Sequence, residues 1–200
     1  MLKHRKLGSD PIYSTVKLHQ ATRIIRAGGV VAYPTEGVFG LGCDPDCLEA
    51  VVRILDLKRR PESAGLILIA ESRAQLDDWI EPTKAEQRRL PSDNKRNPDD
   101  AVTWVVTASS RTPAWITGGR PTVAVRITRH PIAAALCRYA RKPLISTSAN
   151  RRGQAPSRSA LSVRCRFGRD IDHIVAGAVG TRLQPTEIKD ARTGKVLRHG

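Results

Sequence analysis

An α/β fold, in which short buried strands alternate with amphipathic helices, is what three features of this 200-residue sequence predict. Hydrophobic residues make up 40% of the chain and aromatic ones only 4%, so the core is built mainly from Val, Ile, Leu and Ala, which suits strands covered by helices. Short β-branched runs recur between segments of helical apolar periodicity. The length suffices to bury a core without disulfides or structural metal, and no repeat, low-complexity tract or long linker divides the chain. One domain over residues 15–200 is expected, behind a basic extension over residues 1–14.

Along the chain, Thr15 can cap a first helix with apolar positions Leu18, Ala21, Ile24 and Ile25, ended by Gly28 and Gly29. Val30 to Tyr33 is a short strand closed by Pro34. The glycine-rich stretch from Pro34 to Gly42 then reads as a loop at the strand's C-terminal edge, where α/β sheets bind ligands. Asp46 and Glu49 have capping-box spacing for a second helix, with a stripe of Leu48, Val51, Val52 and Leu55 and an end at Lys58-Arg59-Arg60-Pro61. Leu66 to Ile69 is a buried strand, and Ser72 with Gln75 and Thr83 with Glu86 are two more helix starts. The polar run from Pro91 to Asp100 has no periodicity and reads as a long loop. Val102 to Thr107 and Thr122 to Ile127 are strands, and Pro131 opens a helix over Ile132 to Arg141. Pro143 to Ile145 is a strand that delivers the chain into Ser146-Thr147-Ser148-Ala149-Asn150. A helix near Ser159 to Phe167 and strands near His173 to Ala176 and Glu187 to Lys189 complete the reading.

Charge narrows the function. The formal net charge is +15, and residues 101–169 contain no Asp or Glu while carrying Arg111, Arg120, Arg126, Arg151, Arg152 and other cations. Such a stretch predicts a cationic surface, either a solvated face or a binder of nucleotide or RNA phosphates. Any catalytic carboxylate must then come from residues 1–100 or 170–200. Four cysteines in a chain that opens without an apolar signal segment suggest a reducing, cytoplasmic compartment. Cys43 and Cys47 lack the second close Cys or His pair that a zinc site needs, so no protein-bound metal is predicted. Apolar runs fall far short of the ~20 residues that cross a bilayer, which excludes a transmembrane role.

Four constellations could carry chemistry. Lys58 and Arg60 sit at a helix end, where Pro61 biases Arg60 out of the helix so that both could meet one phosphate; equally, the cluster could only complement the helix dipole. The hydroxyls and amide of Ser146, Ser148 and Asn150 could hold phosphate or ribose, or could form a self-capping turn. Thr35 lies in the glycine-rich segment, where the backbone can approach a ligand or simply turn. Arg126 is either a bidentate carboxylate clamp or an ordinary exposed arginine. No Ser-His-Asp set, His-Glu-x-x-His helix or carboxylate pair stands out, so the fitting chemistry is phosphoryl or nucleotidyl transfer by cations and hydroxyls.

These segments resemble the YrdC/TsaC threonylcarbamoyl-AMP synthases. The matching runs are Tyr33-Pro34-Thr35-Glu36-Gly37-Val38-Phe39-Gly40-Leu41-Gly42-Cys43-Asp44-Pro45, Leu57-Lys58-Arg59-Arg60-Pro61, Gly65 to Ile69, Val123 to Arg126, His130-Pro131 and Lys142 to Asn150. The resemblance implies a YrdC-like open, twisted, mixed sheet flanked by helices, with a basic concave face. It also implies a reaction that joins L-threonine, bicarbonate and ATP into threonylcarbamoyl-AMP and pyrophosphate. Lys58 and Arg60 would be catalytic; Lys58, Arg60, Thr122, Ser148 and Asn150 would bind ATP; Thr35, Arg126 and Ser146 would bind threonine. Mg2+ would accompany the phosphates, and the product would pass to tRNA-modifying partner proteins, with tRNA or double-stranded RNA as a further ligand. One departure is local. Where the family carries Trp-Pro-Gly-Pro before its Val-Thr strand, this chain has Pro98-Asp99-Asp100-Ala101 after the polar Asn94 to Asn97, which would alter the pocket wall. The rival functions are a non-catalytic RNA-binding or ribosome-maturation factor, and an enzyme on the same fold that uses carbamoyl phosphate.

Overall fold

The computed structural model describes residues 14–91, 101–182 and 186–199. The expectations for the N-terminal extension (residues 1–13 of it) and for the polar run (residues 92–100 of it) lie outside the described residues. The α-helices among the described residues are α1 (Thr15–Arg26), α2 (Leu48–Lys58), α3 (Lys84–Gln87), α4 (Ala114–Thr117), α5 (Pro131–Ala140) and α6 (Ala160–Phe167). The strands are β1 (Val31–Pro34), β2 (Phe39–Gly42), β3 (Ile67–Ala70), β4 (Thr103–Thr107), β5 (Thr122–Ile127), β6 (Leu144–Ser148), β7 (His173–Ile174), β8 (Ile188–Asp190) and β9 (Val196–Arg198). They form one sheet in the order β7-β1-β2-β6-β3-β5-β4-β8-β9. The sheet is mixed: β1 with β7, β3 with β5 and β4 with β8 run parallel, and the other neighbours run antiparallel.

Side-chain alternation along the strands sorts residues to two faces. On one face Phe39, Leu41, Leu68, Val123, Val125 and Ile145 join Val51, Ile54 and Leu55 of α2 in the larger core. On the other, Val31, Tyr33, Ile69 and Leu144 pack beneath α1 and α5, against Leu18, Ala21, Ile25, Ile132 and Leu136. Those two helices cover only part of their face. Along β6, Leu144 lies under them, but Ser146 and Ser148, on the same side of the strand, open into a cleft. The change from Leu to Ser along one strand face marks where helix cover ends.

Several local expectations are corrected. Ser14, not Thr15, is the N-cap of α1, without a side-chain hydrogen bond. Pro34 belongs to β1 and pairs with Phe39, and residues 39–42, expected as loop, form β2; Leu41 and Phe39 face the core, so tertiary pairing overrides the glycines. No capping box forms at Asp46 and Glu49. The N-cap of α2 is Cys47, and the Asp46 carboxylate pairs with Lys142 at 2.7 Å instead. The buried stripe of α2 is Ala50, Val51, Ile54 and Leu55, while Leu48 and Val52 are exposed. Ser72 caps only a 3-10 turn, Arg73–Leu76. At Thr83 and Glu86 the capping box is present, with Thr83 N donating to Glu86 Oε2 at 2.7 Å. Residues 146–148, expected as loop, are the end of β6.

Candidate active site

The uncovered sheet face forms a cleft of about 860 Å3, lined by Thr35, Lys58, Arg60, Thr122, Arg126, Ser146, Ser148 and Asn150 among others. Every site residue expected from the sequence is therefore in one place, brought from β5, β6, the end of α2 and the turn after β1. The remaining cations of the lining are Arg59, Arg120, Arg152 and Arg198. Among the described residues, no Asp or Glu lines it.

The two ends of the cleft are built differently. At one end, α2 stops because Arg59 takes a left-handed conformation (φ 50°, ψ 48°), and Arg60 N then bonds back to Leu55 O at 2.9 Å. This corrects the expectation that Pro61 unwinds the helix at Arg60: the reversal is made one residue earlier, in a region that non-glycine residues occupy at a cost. The reversal aims Lys58 and Arg60 at different protein groups rather than at one shared point. Lys58 is buried, and its Nζ donates to Ser148 O, to Asn150 O at 2.9 Å and to Asn150 Oδ1 at 3.4 Å. It thereby ties α2 to the end of β6. Burial, with the Arg60 charge added to it, pulls the Lys58 ammonium down to about 8. Arg60 donates through Nε and Nη2 to Gly65 O and through Nη2 to Ala64 O. Burial, then Arg120 and Arg198, lower its pKa, and Arg198 is lowered in turn by burial and by Arg126, with which it shares Thr186, so one electrostatic neighbourhood runs from Arg60 to Arg126.

Ser148 and Asn150 form the adjoining wall. Ser148 Oγ donates to Asn150 Oδ1 at 2.6 Å, and Asn150 Nδ2 holds Arg151 O at 3.1 Å and Gln154 O at 2.8 Å, fixing the turn that leaves β6. Thr122, half-exposed at the start of β5, lies in the same lining.

At the other end, Thr35 is buried, with Oγ1 donating to Val38 O at 2.7 Å. Gly40 lies against it: a Cβ there would come within 3.2 Å of Ser146 Oγ and 3.3 Å of the Thr35 methyl, so glycine lets β2 sit close to both. Arg126 is 8% exposed; its Nη1 donates to Thr186 Oγ1 at 2.9 Å and its Nη2 stands 3.5 Å from Glu36 Oε2. It is neither an ordinary exposed arginine nor an unaccompanied clamp. Burial alone would raise the Glu36 carboxyl, but Arg126 and the donors Thr128 Oγ1 and Arg129 N outweigh it and hold the group at about 2.

Sequence reasoning left Glu36, Arg120, Arg152, Arg198 and Thr186 without a role. Glu36 had a signal, because a carboxylate inside a glycine-rich, otherwise apolar run is hard to place unless it is paired. Thr186 and Arg198 had none, since they reach the cleft only through the pairing of β8 with β4 and of β9 with β8.

Part of the cationic charge of residues 101–169 is paired with carboxylates. Arg111 pairs with Asp78, Arg126 with Glu36, Arg138 with Glu71, Lys142 with Asp44 and Asp46, and Arg151 with Asp170. Folding brings carboxylates from both ends of the sequence to this middle segment. The four cysteines are free, and no group of three or more potential metal ligands occurs among the described residues.

Comparison with known proteins agrees with this geometry. A threonylcarbamoyl-AMP synthase of Nitrosococcus oceani is 48% identical over 182 residues, covering 91% of this chain and 97% of that protein. The structure of P. abyssi Sua5 in complex with L-threonine superposes with a TM-score of 0.79 at 34% identity, over 86% of this chain, which spans 50% of the Sua5 chain. E. coli YciO matches with a TM-score of 0.74 at 26% identity, over 86% of this chain and 82% of its own. The Sua5/YciO/YrdC family model, described as telomere recombination, matches residues 23–200. With that match spanning nearly the whole chain and the family's mixed open sheet in place, this protein belongs to the Sua5/YciO/YrdC family.

Proposed function

We propose that the chain is a threonylcarbamoyl-AMP synthase, a nucleotidyltransferase that makes its product from L-threonine, bicarbonate and ATP. The observation that carries this reading is one cleft that gathers Arg126, backed by a carboxylate, with Lys58 and Arg60, held only by polar protein groups. The names of the similar proteins and the threonine bound to Sua5 support it.

The chemistry follows from the two ends. Threonine's amine and bicarbonate give a carbamate. A carbamate oxygen attacks the α-phosphorus of ATP, the new P–O bond forms as the bond to the β-phosphate oxygen breaks, and pyrophosphate leaves. Such a transfer needs alignment and cancellation of growing negative charge more than it needs proton transfer. Arg126 takes the threonine carboxylate, with Thr35 and Ser146 beside it. Arg60 and Lys58 stabilise the phosphates, Ser148 and Asn150 orient the adenylate, and Thr122 lies near the nucleotide. Arg120 and Arg198 extend the cationic end toward the leaving pyrophosphate. Nucleotide phosphates carry Mg2+ in solution. Among the described residues the lining offers that ion no carboxylate, so phosphate oxygens would hold it and no step is assigned to it.

The product is a mixed anhydride that reacts onward, to be consumed by tRNA-modifying partner proteins. A cytoplasmic setting fits such partners; among the described residues no helix is long and apolar enough to cross a membrane. The test is release of pyrophosphate from ATP by the purified chain. Release that requires both threonine and bicarbonate supports the reading, while release driven by carbamoyl phosphate, or RNA binding by a folded chain without turnover, would sink it.

A further inference from the structure

We propose that Glu36 is a specificity-determining residue: its fixed negative charge behind Arg126 makes one end of the cleft select a zwitterionic amino acid over a simple anion. This rests on the function proposed above.

Of the cations that line the cleft, Arg126 is the one with a carboxylate at ion-pair distance among the described residues. That carboxylate is held rigidly. Glu36 Oε1 accepts from Thr128 Oγ1 at 2.7 Å, Arg129 N at 2.9 Å and His130 N at 3.4 Å. Oε2 is buried, has no hydrogen-bond donor and faces Arg126 across 3.5 Å. One oxygen anchors the side chain and the other supplies field. Glu36 is itself 5% exposed and outside the lining, so it acts on a ligand through Arg126 and through space.

The physical consequence is a matter of sign. A guanidinium in a cleft crowded with cations would draw phosphate as readily as carboxylate. The Glu36 charge cancels that local excess while leaving the directional donors of Arg126 in place. Threonine brings a carboxylate for the guanidinium and an ammonium that Glu36 attracts. An anion without the ammonium still meets the guanidinium but gains only repulsion from Glu36. At an effective dielectric of about 20, a unit charge about 6 Å away changes affinity by about a hundredfold. Among the described residues the cations Arg60 and Arg120 have no such carboxylate and are left for the triphosphate, while Arg198, which shares Thr186 with Arg126, stands between the two groups.

The test compares L-threonine with 3-hydroxybutyrate, the same skeleton without the amine, by calorimetric titration of the wild type, Glu36→Gln and Glu36→Asp at one ionic strength. Wild type favours threonine; E36Q narrows the threonine to 3-hydroxybutyrate ratio at least about tenfold, and E36D keeps it within about threefold. Damage to the fold lowers both affinities together and leaves the ratio, so an unchanged ratio in E36Q overturns the inference. If E36Q fails to fold, the wild type alone decides: inorganic phosphate should raise the KM for ATP and leave that for threonine, and competition between phosphate and threonine overturns the proposal. A wild type that binds neither ligand overturns the proposed function together with this inference, whereas threonine binding that ignores Glu36 overturns the inference alone.

Discussion

The cleft and the outer faces of this protein are both rich in arginine and lysine, yet they differ in how many of those charges are paired with carboxylates. Outside the cleft, several cations tie elements together through carboxylates, while others, such as Arg89 and Arg158, hold backbone carbonyls. Arg53 meets Asp172 at 2.7 Å while Asp172 also accepts from Val30 N, which joins α2 to the start of β1. Arg138 holds Glu71, and Lys142 bridges Asp44 and Asp46. Inside the cleft, Lys58, Arg60, Arg120 and Arg198 bond to backbone carbonyls, and among the described residues none forms an ion pair. The net charge of a segment therefore says little about where an anion binds. What marks the site is the convergence of several such cations, Lys58, Arg60, Arg120 and Arg198, on one cleft with no ion-pair partner among the described residues.

The sharpest way to break this comparison is Arg60→Ala set against Arg138→Ala. Removing a preorganised donor from a developing negative charge costs about a hundredfold or more, whereas an exposed pair is worth little. Threonine- and bicarbonate-dependent pyrophosphate release should fall by at least about a hundredfold in R60A and stay within about twofold in R138A. Equal losses would show that the cleft cations are no more special than the outer ones.

The buried Glu36–Arg126 pair sits between the two regimes, and acid should expose it. The folded pKa of Glu36 is held at about 2, below the unfolded value of about 4.3, so its contribution is present in full above the unfolded pKa and is lost as pH falls toward about 2. Denaturant titrations at about pH 7 and pH 3 should show a loss of about 2 kcal/mol in the wild type that E36Q lacks. The same acid dependence in both proteins would assign it to other carboxylates.

A smaller effect concerns Lys58, whose ammonium is at about 8 because it is buried beside another cation. If the charged form acts on the phosphates, kcat/KM declines above about pH 8 by about tenfold per pH unit, and Lys58→Arg moves that limb out of the accessible range. A limb that stays in place in K58R belongs to another group. The smallest effect is on the surface: Arg111 and Asp78 are 77% and 80% exposed, so Arg111→Ala should change stability by less than about 1 kcal/mol and leave turnover unaltered, checked by thermal melting and the pyrophosphate assay.

Legibility differed by the range of the forces involved. The strand from Thr122 to Ile127, the helix opened by Pro131 and the capping box at Thr83 and Glu86 all appear as expected, because each is written in adjacent residues. Capping at Asp46 failed because a distant lysine, Lys142, competes for the same carboxylate. Strand β2 was hidden because its glycines say turn; β1 is its hairpin neighbour, but its other partner, β6, comes from the far half of the chain. Strand β9, three residues paired only with its neighbour β8, is too short to show a period and was missed, and with it Arg198 in the cleft.

The sequence by itself determined the α/β class, most of the elements, the family resemblance and the side chains that could share a site, Thr122 among them only through that resemblance, since periodicity, caps and motif spacing are local properties. Only the tertiary structure decided which cations stay unneutralised, that Lys58 is pinned to the end of β6, and that Arg126 is backed by Glu36. Those outcomes depend on residues far apart in the chain meeting at short range, where burial and the low effective dielectric make each pairing strong enough to choose.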